Sequence, residues 1–176
     1  MKAYKANILY TPTPERFMLL ERGFVVVGDD GHVIDTYASL PDEYADVELI
    51  DFGNQMLIPA MNDLHVHAPQ YRNLGIAMDM ELLPWLNTYT FPEEMKYSDV
   101  KYAERMYRRF VHDLWKLGTM RAAIFATIHP AASCLLADLL HEANMGGMIG
   151  LVGMDRNSPE GLTNTVEQWR EGMEQL

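Results

Sequence analysis

The sequence predicts a mixed α/β protein in two parts, a β-rich beginning followed by strands and helices in alternation. Three observations predict it. Short runs rich in branched and aromatic residues, separated by turn residues, fill the first fifty-odd positions. After Gly53, apolar runs of strand length alternate with stripes at helical spacing. Asp63-Leu64-His65-Val66-His67 then closes the first of these later strands with polar residues, where parallel α/β folds gather their chemistry.

KANILY, FVVVG, HVIDTYASL and VELIDF read as the strands of residues 1–56. Asp29-Asp30-Gly31 should close a hairpin, with Gly31 free to take a positive φ. Pro12 and Pro14 should end the first strand. Four short strands cover only one face, so this antiparallel segment should need more sheet than it contains. The run MLIPAMNDLHVH, from Met56, leads into residues 57–176. A helix from Ser98 to Leu117 follows, with Ala103, Met106, Tyr107, Phe110, Leu114 and Leu117 as its stripe, Ser98 as cap and Gly118 as terminator. MRAAIFAT is the next strand, and Leu135, Leu136, Leu139, Leu140 and Ala143 mark the next helix, broken by Gly146-Gly147. MIGLVGM is the third strand, and Leu162, Val166, Trp169, Met173 and Leu176 mark a last helix. Parallel strands need helical crossovers, so three such units in succession predict a parallel sheet.

Composition removes several function classes. The 25 acidic and 14 basic residues give a net charge of −11, and the pI is near 4.8, which argues against nucleic acid and anionic membrane surfaces as partners. Cys134 is the one cysteine, so neither an internal disulfide nor a four-cysteine metal knuckle can form. No apolar run suits a signal peptide or a membrane span. The expectation is a cytoplasmic protein with a packed core, since 48% of its residues are hydrophobic.

Residues i, i+2 and i+4 of a strand share a face, so Asp63, His65 and His67 should point together. Imidazoles about 6.6 Å apart along a strand can tilt to share one metal at roughly 2.0–2.1 Å. The bland alternative is a chance His-x-His pair. The next stretch, Ala68-Pro69-Gln70-Tyr71 and then Trp85 to Pro92, reads as a long loop rich in aromatics and amides. Such loops recognise substrates, and Gln70 can both donate and accept at a purine edge. Rim packing is the competing reading for the aromatics.

Three blocks resemble guanine deaminases of the amidohydrolase superfamily: Ile58 to Pro92, Phe125 to Asp138 and Ile149 to Glu160. Asp-x-His-x-His is shared across that superfamily. His-Ala-Pro-Gln-Tyr, Trp-Leu-Asn-Thr-Tyr-Thr-Phe-Pro and Met-Asp-Arg-Asn are more specific. The resemblance implies an incomplete (β/α)8 barrel of about three βα units, preceded by part of a small β-sandwich. It implies that His65 and His67 ligate Zn2+ (Fe2+ ranks behind it), that Asp63 orients a histidine, and that Gln70 contacts guanine. It further implies hydrolysis of guanine to xanthine and ammonia by zinc-activated hydroxide, and a homodimer for the full-length family. A related amidohydrolase acting on another aminated ring is the rival enzyme reading. The nucleobase-deaminase fold built on His-x-Glu with Pro-Cys-x-x-Cys is excluded by the single cysteine.

The chain also departs from the family pattern. Pro59-Ala60 stands where Pro-Gly is usual, and Gly118-Thr119-Met120 where Gly-Thr-Thr is usual. The family's remaining ligands and its proton-shuttling glutamate come from later strands and have no counterpart here. The expectation is therefore a truncated, N-terminal portion that is inactive alone, or a non-catalytic remnant. Trp85, His129 and Asp155 remain as substrate-side candidates, with Arg156 and Asn157 beside them. Each has a plain structural alternative as a cap or packing residue. His32, His112 and His141 read as surface residues, and Cys134 as a small buried one.

Overall fold

A computed structural model describes residues Met1–Leu176, which divide into two compact units, Met1–Pro59 and Ala60–Leu176. In the first unit β1 (Lys2–Thr13), β2 (Arg16–Val27), β3 (Val33–Tyr37) and β4 (Glu48–Leu57) form one sheet in the order β3-β2-β1-β4. β2 pairs antiparallel with both β1 and β3, but β4 runs parallel to β1. The sheet is thus mixed, where an antiparallel segment was expected. Ala3, Ala6, Ile8, Val25 and Val26 are buried, while Phe17, Leu19, Leu49 and Met56 are exposed. β1 continues through Pro12, because the pairing is irregular between Tyr10 and Thr13 and requires no ladder N–H there. The hairpin at Asp29–Gly31 forms as expected, with Gly31 at φ +81° and its N–H donating to Gly28 O at 3.0 Å.

The second unit is a three-stranded parallel sheet, β5 (Met61–His67), β6 (Thr119–Phe125) and β7 (Gly146–Gly150), in that order. Its helices are α1 (Leu82–Trp85), α2 (Phe91–Glu94), α3 (Val100–Lys116), α4 (Pro130–Glu142) and α5 (Val166–Met173). The core joins Ala122 and Ile124 of β6 to Ala103, Met106, Tyr107 and Phe110 of α3 and to Leu136, Leu139 and Leu140 of α4.

Several expected boundaries move, each for a local reason. Asp99, not Ser98, caps α3, its side chain accepting from Lys101 N–H at 2.9 Å. Leu117 lies past the helix and is 74% exposed. Gly146 and Gly147 do not break a helix but begin β7, packing beside Arg121 and Leu140 where larger residues would crowd. β7 ends at Gly150, four residues before the expected end. Leu162 is buried ahead of α5, which starts at a Thr165/Gln168 capping box.

The stretch read as a long loop is largely helical. Residues Ala68–Asn73 form a 3-10 turn, and from Leu82 to Ser98 helical segments follow one another, including a π turn at Leu86–Thr90. Pro69 and Pro92 sit at the starts of their segments, where a missing N–H breaks no hydrogen bond.

Candidate metal and substrate site

The carboxyl ends of the three parallel strands are level: His67 pairs with Phe125, and Phe125 with Gly150. His65 and His67 meet there, their ring centroids 5.0 Å apart and their planes at 84°. Phe125 packs against both, stacked on His67 at 4.9 Å and edge-on to His65 at 5.1 Å. Sequence reading gave Phe125 no role at the site; it is the last residue of β6, two residues before the end of the MRAAIFAT run.

β5 does not alternate evenly. Its pairing with β6 is irregular between Asp63 and Val66, and there Asp63 Oδ1 accepts from the backbone N–H of His65 at 3.1 Å. Asp63 therefore shapes the strand that carries the first imidazole and bonds its backbone, not its ring. Burial, and then the neighbouring His65, hold the His67 pKa below its ordinary value, so the neutral ring that can coordinate a cation is favoured.

The 3-10 turn follows at once and sets Gln70, half-buried, three residues beyond His67. Trp85 is placed differently: its Nε1–H donates to Ile76 O at 2.8 Å and closes the 76–85 loop. His129 stands four residues beyond β6, at the N-cap of α4. Its carbonyl accepts from Ser133 N–H, its own N–H donates to Thr127 Oγ1 at 3.0 Å, and its Nε2 is buried without a partner. Burial lowers its pKa. Asp155 is exposed, five residues beyond β7, and is paired with Arg156 at 2.8 Å, which holds its carboxyl below the usual range. Asn157 turns the chain at φ 53°. His32, His112 and His141 are exposed, and Cys134 is half-buried beside Gln175 O.

Behind the turn lies an acid and tyrosine layer that the sequence did not disclose. Glu93 and Glu94 are 5% and 7% exposed. Glu93 is matched by Lys96 Nζ at 2.7 Å and by the Tyr102 hydroxyl. Glu94 lacks a countercharge, and burial pushes its pKa up to about 7. Tyr97 and Tyr107 pack on one another at 4.9 Å, their hydroxyls buried and unpartnered.

The donor chemistry at the strand ends fits part of a metal site. Two imidazoles within 5.0 Å of one another suit one borderline cation, and the chain holds no group of three or more His, Cys, Asp or Glu side chains that could complete the set.

No family model matches the chain. Among curated proteins, guanine deaminase of Dictyostelium discoideum is 35% identical over 184 residues, covering 96% of this chain and 41% of the relative. Among solved structures, guanine deaminase from C. acetobutylicum, which has guanine bound in its active site, superposes with a TM-score of 0.92 at 44% identity, covering 98% of this chain and 41% of that one. The E. coli guanine deaminase superposes with a TM-score of 0.83 at 30% identity over 99% of this chain and 43% of that one. The chain thus spans about two fifths of the length of the relatives it matches. It belongs to the guanine deaminase family of the amidohydrolases, as the counterpart of the N-terminal portion of its members.

Proposed function

We propose that this chain supplies the first part of the metal centre and of the purine pocket of a guanine deaminase. The observation that carries the reading is the paired, mutually packed imidazoles of His65 and His67 at the carboxyl end of β5, in a chain 44% identical to a guanine-binding relative. His65 and His67 would hold Zn2+, with Fe2+ as the lesser candidate. What such a metal supplies when bound is hydroxide at neutral pH, because coordination lowers the pKa of water to about 7. Phe125 fixes the two rings against each other and covers the apolar side of the pair. Asp63 sets the backbone at His65. Gln70 presents an amide to the guanine edge, which orients the ring without touching the metal. His129 and Asp155 flank the same strand ends, with the partnerless Nε2 of His129 the better placed to meet a polar group.

In this reading β5, β6 and β7 with α3 and α4 are early units of a (β/α)8 barrel, and residues 1–56 contribute to a small β-sandwich. The whole protein would be a cytoplasmic homodimer whose remaining ligands and proton shuttle come from outside these 176 residues. The test is a chimaera in which this chain replaces the matching portion of the C. acetobutylicum enzyme. It should convert guanine to xanthine, and His65→Ala with His67→Ala should abolish both xanthine formation and zinc content. Undiminished xanthine formation by the doubly substituted chimaera would overturn the assignment. The 176-residue chain alone should form no xanthine above background, because two imidazoles fall short of the three protein ligands usual for a catalytic zinc.

A further inference from the structure

We propose that Tyr102 is a positioning residue that locks the Gln70 turn and the segment ahead of α3 to a single hydroxyl. The inference rests on the assignment of Gln70 to guanine. Tyr102 lies in the first turn of α3, and its hydroxyl is shared by two other elements. It donates to Glu93 Oε1 at the end of α2, and it accepts from Arg72 Nη1 at 3.3 Å in the turn that carries Gln70. Glu93 in turn accepts from Lys96 Nζ at 2.7 Å. The ring is held as firmly as the hydroxyl. Arg105 and Lys96 lie over it, 5.5 and 5.8 Å from its centroid, and Tyr97 meets it edge-on at 5.5 Å.

A second tie makes the anchor directional. Tyr71, the residue after Gln70, donates its hydroxyl to Asp113 Oδ2 in the last turn of α3 and packs edge-on to Phe110. Tyr102 and Asp113 are about 16 Å apart along the helix axis. Adjacent side chains of the turn therefore reach opposite ends of one rigid helix, which fixes the turn in rotation as well as in position. Glu93 is 5% exposed, and a buried carboxylate requires its partners, so the Tyr102 hydroxyl cannot be removed without loosening α2 too. The two segments that meet at this oxygen are residues 68–73, through Arg72, and α2 (Phe91–Glu94), through Glu93, and α2 continues directly from the aromatic stretch that begins at Trp85. Gln70 donates and accepts through a short amide, so a small displacement of its turn removes its contact with a planar ring.

Tyr102→Phe keeps the ring and removes the shared oxygen. In the 176-residue chain, amide hydrogen exchange of residues 68–73 and 86–94 should quicken about tenfold while β6 and α4 stay unchanged. In the chimaera the KM for guanine should rise roughly three- to tenfold at unchanged kcat and zinc content. Arg72→Met, at an exposed position, should reproduce the effect on residues 68–73 alone, and decides the matter if Tyr102→Phe does not fold. Unchanged exchange in these segments, or exchange quickened throughout the unit, would overturn the lock. Local quickening without a change in KM would overturn its positioning role. If the chimaera with native Tyr102 forms no xanthine, the guanine reading itself fails, and the exchange pattern still decides the lock.

Discussion

Two clusters of titratable side chains lie on either side of the Gln70 turn, and they are built on opposite principles. At the strand ends, His65, His67 and Phe125 touch ring to ring, and only the backbone there is tied by hydrogen bonds. Behind the turn, Glu93, Tyr102, Arg72 and Lys96 are interlocked by hydrogen bonds and cation–π contacts. The first arrangement leaves nitrogen lone pairs for an outside ligand. The second consumes its polar groups internally and gives the turn a fixed seat. A pair of packed rings with spare donors is a site; an equally dense set of satisfied groups is scaffold.

That contrast is broken most severely at the strand ends. His67→Ala in the chimaera should lower kcat/KM for guanine at least about 1000-fold, beyond the 10–100-fold that partners outside the ligands cost. Elemental analysis should show the zinc lost as well, whereas a substitution behind the turn should leave the metal in place.

The next effect is on stability and belongs to Glu94, the carboxyl of the buried layer that has no countercharge. Glu94 has a folded-state pKa of about 7 against an ordinary 4.5, so the folded state holds its proton more tightly than the unfolded one. Burial alone raises this pKa, and the nearby Lys96 is engaged by Glu93. Below pH 4.5 both states are protonated and the burial costs nothing in charge. Between about pH 4.5 and 7 stability falls, and above that the loss is constant. Glu94→Gln should therefore stabilise the chain by about 3 kcal/mol at pH 8 and by almost nothing at pH 4, read from urea unfolding at the two pH values. Equal effects at both would show that the carboxyl is compensated.

Smaller effects sharpen the comparison. Gln70→Ala should lower kcat/KM for guanine about tenfold with zinc content intact, the cost of one or two substrate hydrogen bonds. Tyr71→Phe loses the bond to Asp113 and should cost about 1 kcal/mol of stability with no change in the metal. Urea unfolding and elemental analysis check both halves of that expectation.

The elements most legible in the sequence are those whose periodicity is undisturbed. α3 and α4 announce themselves through Ala103, Met106, Tyr107 and Phe110 and through Leu136, Leu139 and Leu140, because a single buried stripe suffices to specify a helix on a sheet. FVVVG disclosed the second half of β2, but its first half was concealed by composition: Arg16 to Arg22 mixes charged and long apolar residues on a stretch that is exposed or half-buried. The helical run from Leu82 to Ser98 was concealed by Pro84 and Pro92, which interrupt a pattern but are tolerated in the first turn of short segments. At the strand ends the His-x-His spacing pointed to neighbouring rings. It could not reveal Phe125, which comes from another strand, or the bulge at Asp63, which depends on pairing with β6. The buried glutamates were invisible for the same reason, since Pro-Glu-Glu reads as a solvated turn until Tyr102 folds against it.

The central claim is that His65 and His67 form one metal-facing pair, and the ring nitrogens report it directly. Zinc titrated into the 15N-labelled 176-residue chain should shift the ring resonances of His65 and His67 together, saturating at one equivalent. His32, His112 and His141 should respond only in excess. A response that begins at the exposed histidines, or one in which His65 and His67 move independently, would contradict the claim.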